Sequence, residues 1–202
     1  YGWDWGPRLV TSGIWRPVYL KAWDMAQIKD LQIIQKEVTE AKASFTAVFE
    51  VEATERERVT LTLLHEEKRL AIARIHLKEG THQYPVDFEI EDPKLWWTNG
   101  LGEPHLYNLT GTVKAGDRFV TEDTRIGIRT LELVREKDEA GTSFYFKLNG
   151  QKVFMKGANA IPNDVFLPRV TDDHYKTMIE TARKSNMNML RVWGGGIYEE
   201  DI

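Results

Sequence analysis

Apolar and polar residues alternate along the central part of the chain, between residues 28 and 133. The alternation is clearest at residues 45–53 and 84–90, where every second residue is apolar. A period of two is typical of β-strands that bury one face and expose the other to solvent. Charged or turn-forming stretches separate the alternating runs at residues 54–57, 66–68, 78–80, 92–94 and 115–117. This spacing predicts about seven antiparallel strands, as in an immunoglobulin-like β-sandwich.

The phase of the alternation predicts which side chains form the core of the sandwich. The residues expected to be mostly buried are Phe45, Phe49, Val59, Leu61, Leu63, Val86 and Phe88. Charged residues fill the alternate positions, where the expected environment is a solvated outer face. They are Glu50, Glu52, Asp87 and Glu89.

Two flanking segments also have strand character. Residues 9–23 are rich in aromatic and β-branched side chains, which predicts the closing strands of an earlier β-domain. Downstream, Asn149-Gly150 separates the apolar runs 144–148 and 153–155. Because both residues tolerate a positive φ, Asn-Gly is a strong signal for a two-residue hairpin turn. We expect a hairpin there that leads into a buried strand over residues 153–155.

The period changes near the end of the chain. Thr171 followed by Asp172 and Asp173 is typical of a helix start with acidic residues at the positive end of the helix dipole. An apolar stripe of period 3.6 follows, formed by Tyr175, Met178, Ile179 and Ala182. A short apolar run over residues 187–193 then ends in glycines. The order strand, helix, strand predicts a parallel crossover unit.

Composition and charge exclude several classes of function. The 202 residues include 42% hydrophobic and 29% charged residues, as in ordinary globular domains. With a net charge of −4 and scattered basic residues, nucleic acid is not an expected partner. No apolar run is long enough to predict a membrane span. The chain has no cysteine, and its five histidines lack the spacing of metal ligands, so neither metal nor cofactor is predicted.

Five short motifs are spread over nearly the whole chain. They are Gly-Trp-Asp-Trp-Gly-Pro at residues 2–7, Leu-Trp-Trp-Thr-Asn-Gly-Leu-Gly at 95–102, Lys-Gly-Ala-Asn at 156–159, Phe-Leu-Pro-Arg at 166–169, and Asn-Met-Leu-Arg-Val-Trp-Gly-Gly-Gly at 188–196. Each is weak alone. In their order and spacing they resemble the β-mannosidases of glycoside hydrolase family 2.

The resemblance implies a mainly β chain in three parts. Residues 1–23 would be the last strands of a jelly-roll sugar-binding domain, residues 24–130 an immunoglobulin-like sandwich, and residues 131–202 the truncated start of a (β/α)₈ TIM barrel. It implies a retaining exo-β-mannosidase acting on terminal β-D-mannose, with carbohydrate as the substrate. In such enzymes two carboxyl groups lie about 5–5.5 Å apart. Both glutamates are expected beyond Ile202, so the chain alone should be inactive.

Two predicted substrate-binding residues lie in the first motif. Asp4 stands between two tryptophans and before Gly-Pro, where its carboxylate could accept hydrogen bonds from sugar hydroxyls. The resemblance implies that this loop faces the active site. The alternative is a turn residue that caps local backbone amides. Trp5 could stack on the sugar or could belong to a core.

Three more predicted substrate-binding residues lie near the ends of the predicted barrel strands: Asn159 is expected to follow the first strand, and Arg191 and Trp193 lie at the C-terminal end of the second. Active sites of TIM barrels form at the C-terminal ends of the strands. Arg191 could hold a carboxylate nucleophile ionised, Trp193 could wall the sugar ring, and Asn159 could bond a hydroxyl or brace its loop. The alternative for Arg191 is a structural ion pair, and the alternative for Trp193 is packing within the barrel. Ala160 stands where a tryptophan is usual in the family.

Other interpretations remain open at this point. Glu199, Glu200 and Asp201 are expected to be the solvated first turn of a further helix, not a catalytic pair. The specificity could be that of a β-galactosidase, β-glucuronidase or exo-glucosaminidase. A non-catalytic carbohydrate-binding sandwich would leave residues 131–202 without a purpose. The sequence does not decide the oligomeric state or the compartment; periplasmic, secreted and lysosomal locations are all compatible with it.

Overall fold

The computed structural model describes residues 6–194. Within these residues, twelve strands and one α-helix, α1, follow one another. They are β1 (Ala26–Val38), β2 (Lys42–Ala53), β3 (Arg58–His65), β4 (Lys68–His76), β5 (Gly80–Glu91), β6 (Tyr107–Ala115), β7 (Arg118–Ile126), β8 (Leu131–Val134), β9 (Tyr145–Leu148), β10 (Gln151–Val153), β11 (Gly157–Ala160), α1 (Asp172–Lys184) and β12 (Met189–Val192). A short 3₁₀ turn, Leu167–Arg169, precedes α1.

Strands β1 to β7 form the predicted sandwich. One antiparallel sheet has the order β1-β2-β5 and the other has the order β4-β3-β6-β7. The seven strands confirm the expected number. The tight turn after β3, with Glu66 at φ 53°, folds β4 back onto β3, so the fourth strand extends the sheet of the third.

The core lies between these two sheets. In β2 every second residue is buried, as the alternation predicts. Of the predicted core residues, six are buried and Val86 is half-buried. Phe45 on β2 stacks on Phe88 of β5 with ring centroids 5.0 Å apart. Burial of such side chains contributes roughly 1.5–3 kcal/mol each.

The outer face of the β1-β2-β5 sheet is charged and solvated, also as predicted. Asp87 accepts hydrogen bonds from Lys36 Nζ at 2.7 Å and from Thr46 Oγ1 at 2.6 Å. Lys42 Nζ bonds Glu89 Oε1 at 2.8 Å. The Thr46 and Lys42 contacts join the neighbouring strands β2 and β5, whereas the Lys36 contact reaches from β1 across β2 to β5.

The segment before the sandwich differs from its predicted form. Residues 6–24 contain no strand, although strands were expected over 9–23. Apolar side chains there are exposed, among them Ile14 at 87% and Val18 at 81%. A strand requires a hydrogen-bonded partner strand, and none of the described strands adds this segment to its sheet. The segment therefore has the composition of β-strands without the pairing that a strand requires.

Strands β8, β9 and β10 form a small antiparallel sheet next to the sandwich. The β9–β10 turn consists of Asn149 at φ 50° and Gly150 at φ 77°, which confirms the predicted Asn-Gly hairpin. The expected buried strand over 153–155 is wrong. Only Val153 is buried, β10 ends there, and Phe154 is 83% exposed. The chain turns away at Phe154 to begin β11 three residues later.

The last elements form the predicted strand-helix-strand unit. Strands β11 and β12 are parallel, with α1 between them in sequence. Thr171 is the N-cap of α1, and a capping box joins it to His174. The apolar stripe of α1 is only half covered, and Ile179 is 53% exposed. No helix within residues 6–194 has the length and apolar character needed to cross a bilayer.

Candidate sugar-binding site

The β11–β12 pair brings two of the predicted site residues together. Asn159 and Arg191 are direct partners in the parallel register. Arg191 Nη1 donates a hydrogen bond to Asn159 Oδ1 at 3.1 Å. The prediction that Asn159 follows its strand is wrong, because it lies inside β11. Strand β11 begins at Gly157, after the turn at Phe154, and so it ends later than the sequence suggested.

Trp193 lies directly after β12, at the C-terminal end of the β11–β12 pair. Its backbone N–H donates to the carbonyl of Ala160 at 2.9 Å, which continues the parallel ladder one residue beyond β12. The ring is half-buried. Ala160, which pairs with Val192 in the parallel register, contributes only a methyl group at this end of β11.

Exposure and charge give the Asn159–Arg191 pair its chemistry. Both residues are exposed. Among residues 6–194, Arg191 forms no ion pair with a carboxylate, and its hydrogen bond goes to a neutral amide. The guanidinium therefore keeps donors for an incoming carboxylate or hydroxyl group. Its place near the C-terminal ends of parallel strands is where barrel enzymes build their active sites.

Two of the predicted site residues cannot be placed. Asp4 and Trp5 lie outside the described residues, as do Glu199, Glu200 and Asp201. The expected proximity of Asp4 to Arg191 therefore stays a prediction. The structure brings together Asn159, Arg191 and Trp193.

Asn188 is a positioning residue that the sequence analysis missed. Its side-chain Oδ1 accepts from the Lys156 N–H at 2.8 Å, and its Nδ2 donates to the Phe154 carbonyl at 3.0 Å. Its own backbone N–H donates to the Lys156 carbonyl at 2.8 Å. One amide side chain thus ties the entry of β12 to the entry of β11. The signal for it was a polar amide inside the apolar run 187–193.

A loop of the sandwich also reaches this unit. We call residues 96–104 the sandwich loop, since a β-bridge between Trp96 and Pro104 closes it. Thr98 Oγ1 donates to the Asn188 carbonyl at 2.7 Å. Asn99 Nδ2 lies 2.9 Å from the Met187 carbonyl and 3.2 Å from the Arg183 carbonyl. The motif at residues 95–102 contains both Thr98 and Asn99, but nothing in that motif indicated their hydrogen-bond partners.

The donor set of the site suits a sugar more than a metal ion. Within the described residues no three His, Cys, Asp or Glu side chains cluster in a way that could hold a metal. The amide of Asn159, the guanidinium of Arg191 and the flat ring of Trp193 match the hydroxyl groups and apolar face of a pyranose ring.

Comparison with known proteins gives this geometry a family. The pattern described as "Glycosyl hydrolases family 2" matches residues 26–129. Beta-mannosidase B of Aspergillus flavus is 37% identical over 100% of this chain and 24% of its own length. A beta-D-mannosidase crystal structure from Dictyoglomus thermophilum is 40% identical, with a TM-score of 0.88 over 98% of this chain and 25% of that chain.

A more distant structure shares the fold alone. The exo-chitosanase CsxA of Amycolatopsis orientalis is 18% identical, with a TM-score of 0.73 over 86% of this chain and 20% of that chain. The present chain spans about a quarter of the length of the relatives that it matches over its whole length. The family pattern covers residues 26–129, just over half of the 202 residues, and relatives above 30% identity extend the match to both ends. The chain belongs to family 2 of the glycosyl hydrolases.

Proposed function

We propose that this chain supplies part of the sugar pocket of a retaining exo-β-mannosidase that removes terminal, non-reducing β-D-mannose from glycans. The observation that carries the proposal is the Arg191–Asn159 contact on neighbouring parallel strands. It is supported by identities of 37% and 40% to a beta-mannosidase B and a beta-D-mannosidase. Carbohydrate is accordingly the proposed partner.

Each side chain has a proposed role in the pocket. Arg191 donates charge-assisted hydrogen bonds that favour the ionised form of a carboxylate nucleophile, which lowers the pKa of such a carboxyl. Asn159 holds the guanidinium in place through Oδ1 and leaves its NH₂ group for a sugar hydroxyl. Trp193 provides the apolar wall. Asp4 and Trp5 complete the pocket from the N-terminal motif.

The reaction itself requires two glutamates that we place beyond Ile202. One acts as acid and base, and the other attacks the anomeric carbon to form a glycosyl-enzyme intermediate. The proposed boundaries are those of the sequence analysis: jelly-roll strands over 1–23, sandwich over 24–130 and barrel start over 131–202. In this arrangement β11 and β12 are the first two barrel strands.

A segment exchange tests the proposal. The chain replaces the corresponding quarter of the Dictyoglomus enzyme, and kcat/KM is measured on aryl β-mannoside, β-galactoside, β-glucuronide and β-glucosaminide. We expect the β-mannoside to be the best substrate. Arg191→Met and Asp4→Ala should each lower its kcat/KM by about tenfold or more. Preference for another glycoside, or an unchanged kcat/KM in both variants, would contradict the proposal.

The chain alone provides the matched control. Because neither catalytic glutamate is present in it, it should not hydrolyse an aryl β-mannoside. Reproducible turnover by the purified 202-residue chain would show that the catalytic pair lies within it.

A further inference from the structure

Thr98 is unusual among the buried residues of this chain. Among residues 6–194, Thr98 is one of two polar residues that are buried, with 9% of its surface exposed. The hydrogen bond of its hydroxyl leads out of the sandwich. The hydroxyl donates at 2.7 Å to the carbonyl of Asn188, which lies 90 residues later and outside the sandwich. Burial of a hydroxyl is unfavourable unless it is hydrogen-bonded, so loss of this hydrogen bond would destabilise the folded chain.

Asn99 makes a second attachment to the same region. Its Nδ2 lies within hydrogen-bonding distance of the carbonyls of Arg183 and Met187. The last carbonyls of an α-helix lack partners within the helix. Asn99 therefore caps the C-terminal end of α1 and holds the short connection to β12. Trp97 packs closely against Gly102 within the same loop, because a Cβ at Gly102 would lie 2.8 Å from its ring.

The β11–β12 pair needs such external support. The two strands are four residues long each, form a two-stranded sheet, and contain no buried residue. A two-stranded sheet of this kind is marginal in water. Asn188 joins the entries of both strands, and Thr98 holds Asn188 by its carbonyl. The contacts form a continuous path from the sandwich loop to the strands that carry Asn159 and Arg191.

We propose that the sandwich loop is a positioning element for the sugar site. Thr98 and Asn99 fix the entry of β12, Asn188 transmits that position to β11, and the resulting register places Arg191 against Asn159. Thr98 and Asn99 touch no substrate, so they are positioning residues. The part of this inference that concerns catalysis rests on the proposed function, whereas the part that concerns the strands does not.

Amide hydrogen exchange of the 202-residue chain tests the strand part. Thr98→Val keeps the shape of the side chain and removes the donor, while Thr98→Ser keeps the donor. In Thr98→Val we expect the β12 amides and the Trp193 amide to exchange about tenfold faster, since the Asn188 carbonyl loses its buried partner. In Thr98→Ser they should exchange at close to the original rates. Core amides of β2 and β3 should stay equally protected in both variants.

Two results would overturn the positioning role. One is unchanged protection of β12 in Thr98→Val. The other is an equal loss of protection in β2, β3 and β12, which would make Thr98 a residue of global stability. If Thr98→Val does not fold, Asn99→Ala, at a partly exposed position, is read out in the same way, and intact β12 protection in it overturns the proposal.

The catalytic part is tested in the segment-exchange enzyme. There, Thr98→Val should lower kcat on the β-mannoside about tenfold with a smaller change in KM, because a displaced Arg191 affects the transition state more than ground-state binding. Thr98→Ser should restore kcat. If the unsubstituted enzyme prefers another glycoside, the proposed function fails while the exchange result still stands. If kcat is unchanged in Thr98→Val despite faster exchange, the positioning role in catalysis fails alone.

Discussion

The sandwich and the strand-helix-strand unit differ in how they are held together. Between the two sheets of the sandwich, the core contains side chains that are almost fully buried, such as Phe45, Phe49 and Leu61. The unit from β11 to β12 has no buried residue in either strand or in α1. The predicted site residues that the structure places all belong to this second region.

The difference separates scaffold from site. Apolar burial is the main favourable term in folding, so the sandwich carries its own stability. The strand-helix-strand unit depends on attachments: parallel backbone bonds, the side chain of Asn188, and the sandwich loop. We therefore expect core substitutions to unfold the chain globally, and substitutions in the unit to act locally.

The largest effect is expected from the sandwich core. Phe49→Ala removes a side chain that is 0% exposed and packs where the two sheets meet. The cavity should lower the free energy of unfolding by roughly 3–5 kcal/mol. Phe119→Ala is the matched control, since Phe119 on β7 is 64% exposed. Urea denaturation followed by circular dichroism compares them, and equal midpoints would contradict the assigned core.

The next effect should be confined to the β11–β12 pair. A Cβ at Gly157 would overlap the backbone carbonyl oxygen of Met189 on the neighbouring strand. Gly157→Ala should therefore abolish the parallel pairing while the sandwich stays folded. Gly194→Ala is the control, because a Cβ there meets open space. Amide exchange resolves the two regions, and retained protection of β12 in Gly157→Ala would be the contrary result.

A smaller effect is expected where the hairpin joins the sandwich. Asn149 accepts a hydrogen bond from the Thr130 N–H at 2.9 Å and donates to the Trp96 carbonyl at 3.0 Å. Asn149→Gly keeps the positive φ of the turn but loses both contacts, which should cost about 1–2 kcal/mol. Asn149→Ala adds the strain of φ 50° and should cost about 1 kcal/mol more. Equal thermal midpoints for the two variants would show that the turn conformation relaxes freely.

The same contrast explains what the sequence could predict. Where burial alternates regularly, as in β2, the pattern in the sequence and the pattern in the structure coincide. The Asn149-Gly150 turn and the Thr171 cap were also readable, because each depends on neighbouring residues. Residues 9–23 have strand composition without strand pairing, since pairing depends on partners far along the chain.

The sequence indicated candidate site residues, but it did not indicate how they contact one another. Motifs drew attention to Asn159 and Arg191, and the parallel register then showed that they touch. The bonding partners of Thr98, Asn99 and Asn188 could not be predicted from the sequence, because side-chain bonds to distant carbonyls leave no periodic signal. Strand β11 was misplaced for a related reason: Asn188 fixes its entry from 32 residues away.

The smallest effect is expected on the charged outer face of the sandwich, where the side chains are exposed and not buried as in the core. The hydrogen bond from Lys36, and then that from Thr46, lowers the pKa of Asp87 below its ordinary value of 3.8. A carboxyl whose pKa is lower in the folded chain stabilises the fold above its unfolded pKa, and this contribution is lost as pH falls through the folded pKa. Asp87→Asn should therefore be slightly less stable than the original chain at neutral pH, and the two should become equal as the pH falls below the folded pKa of Asp87. The pair is exposed and screened by solvent, so the difference should be small and should shrink further in high salt. Thermal denaturation of both chains across this pH range measures it, and a difference that persists unchanged at the lowest pH would show that the substitution perturbs the strand by some means other than lost charge.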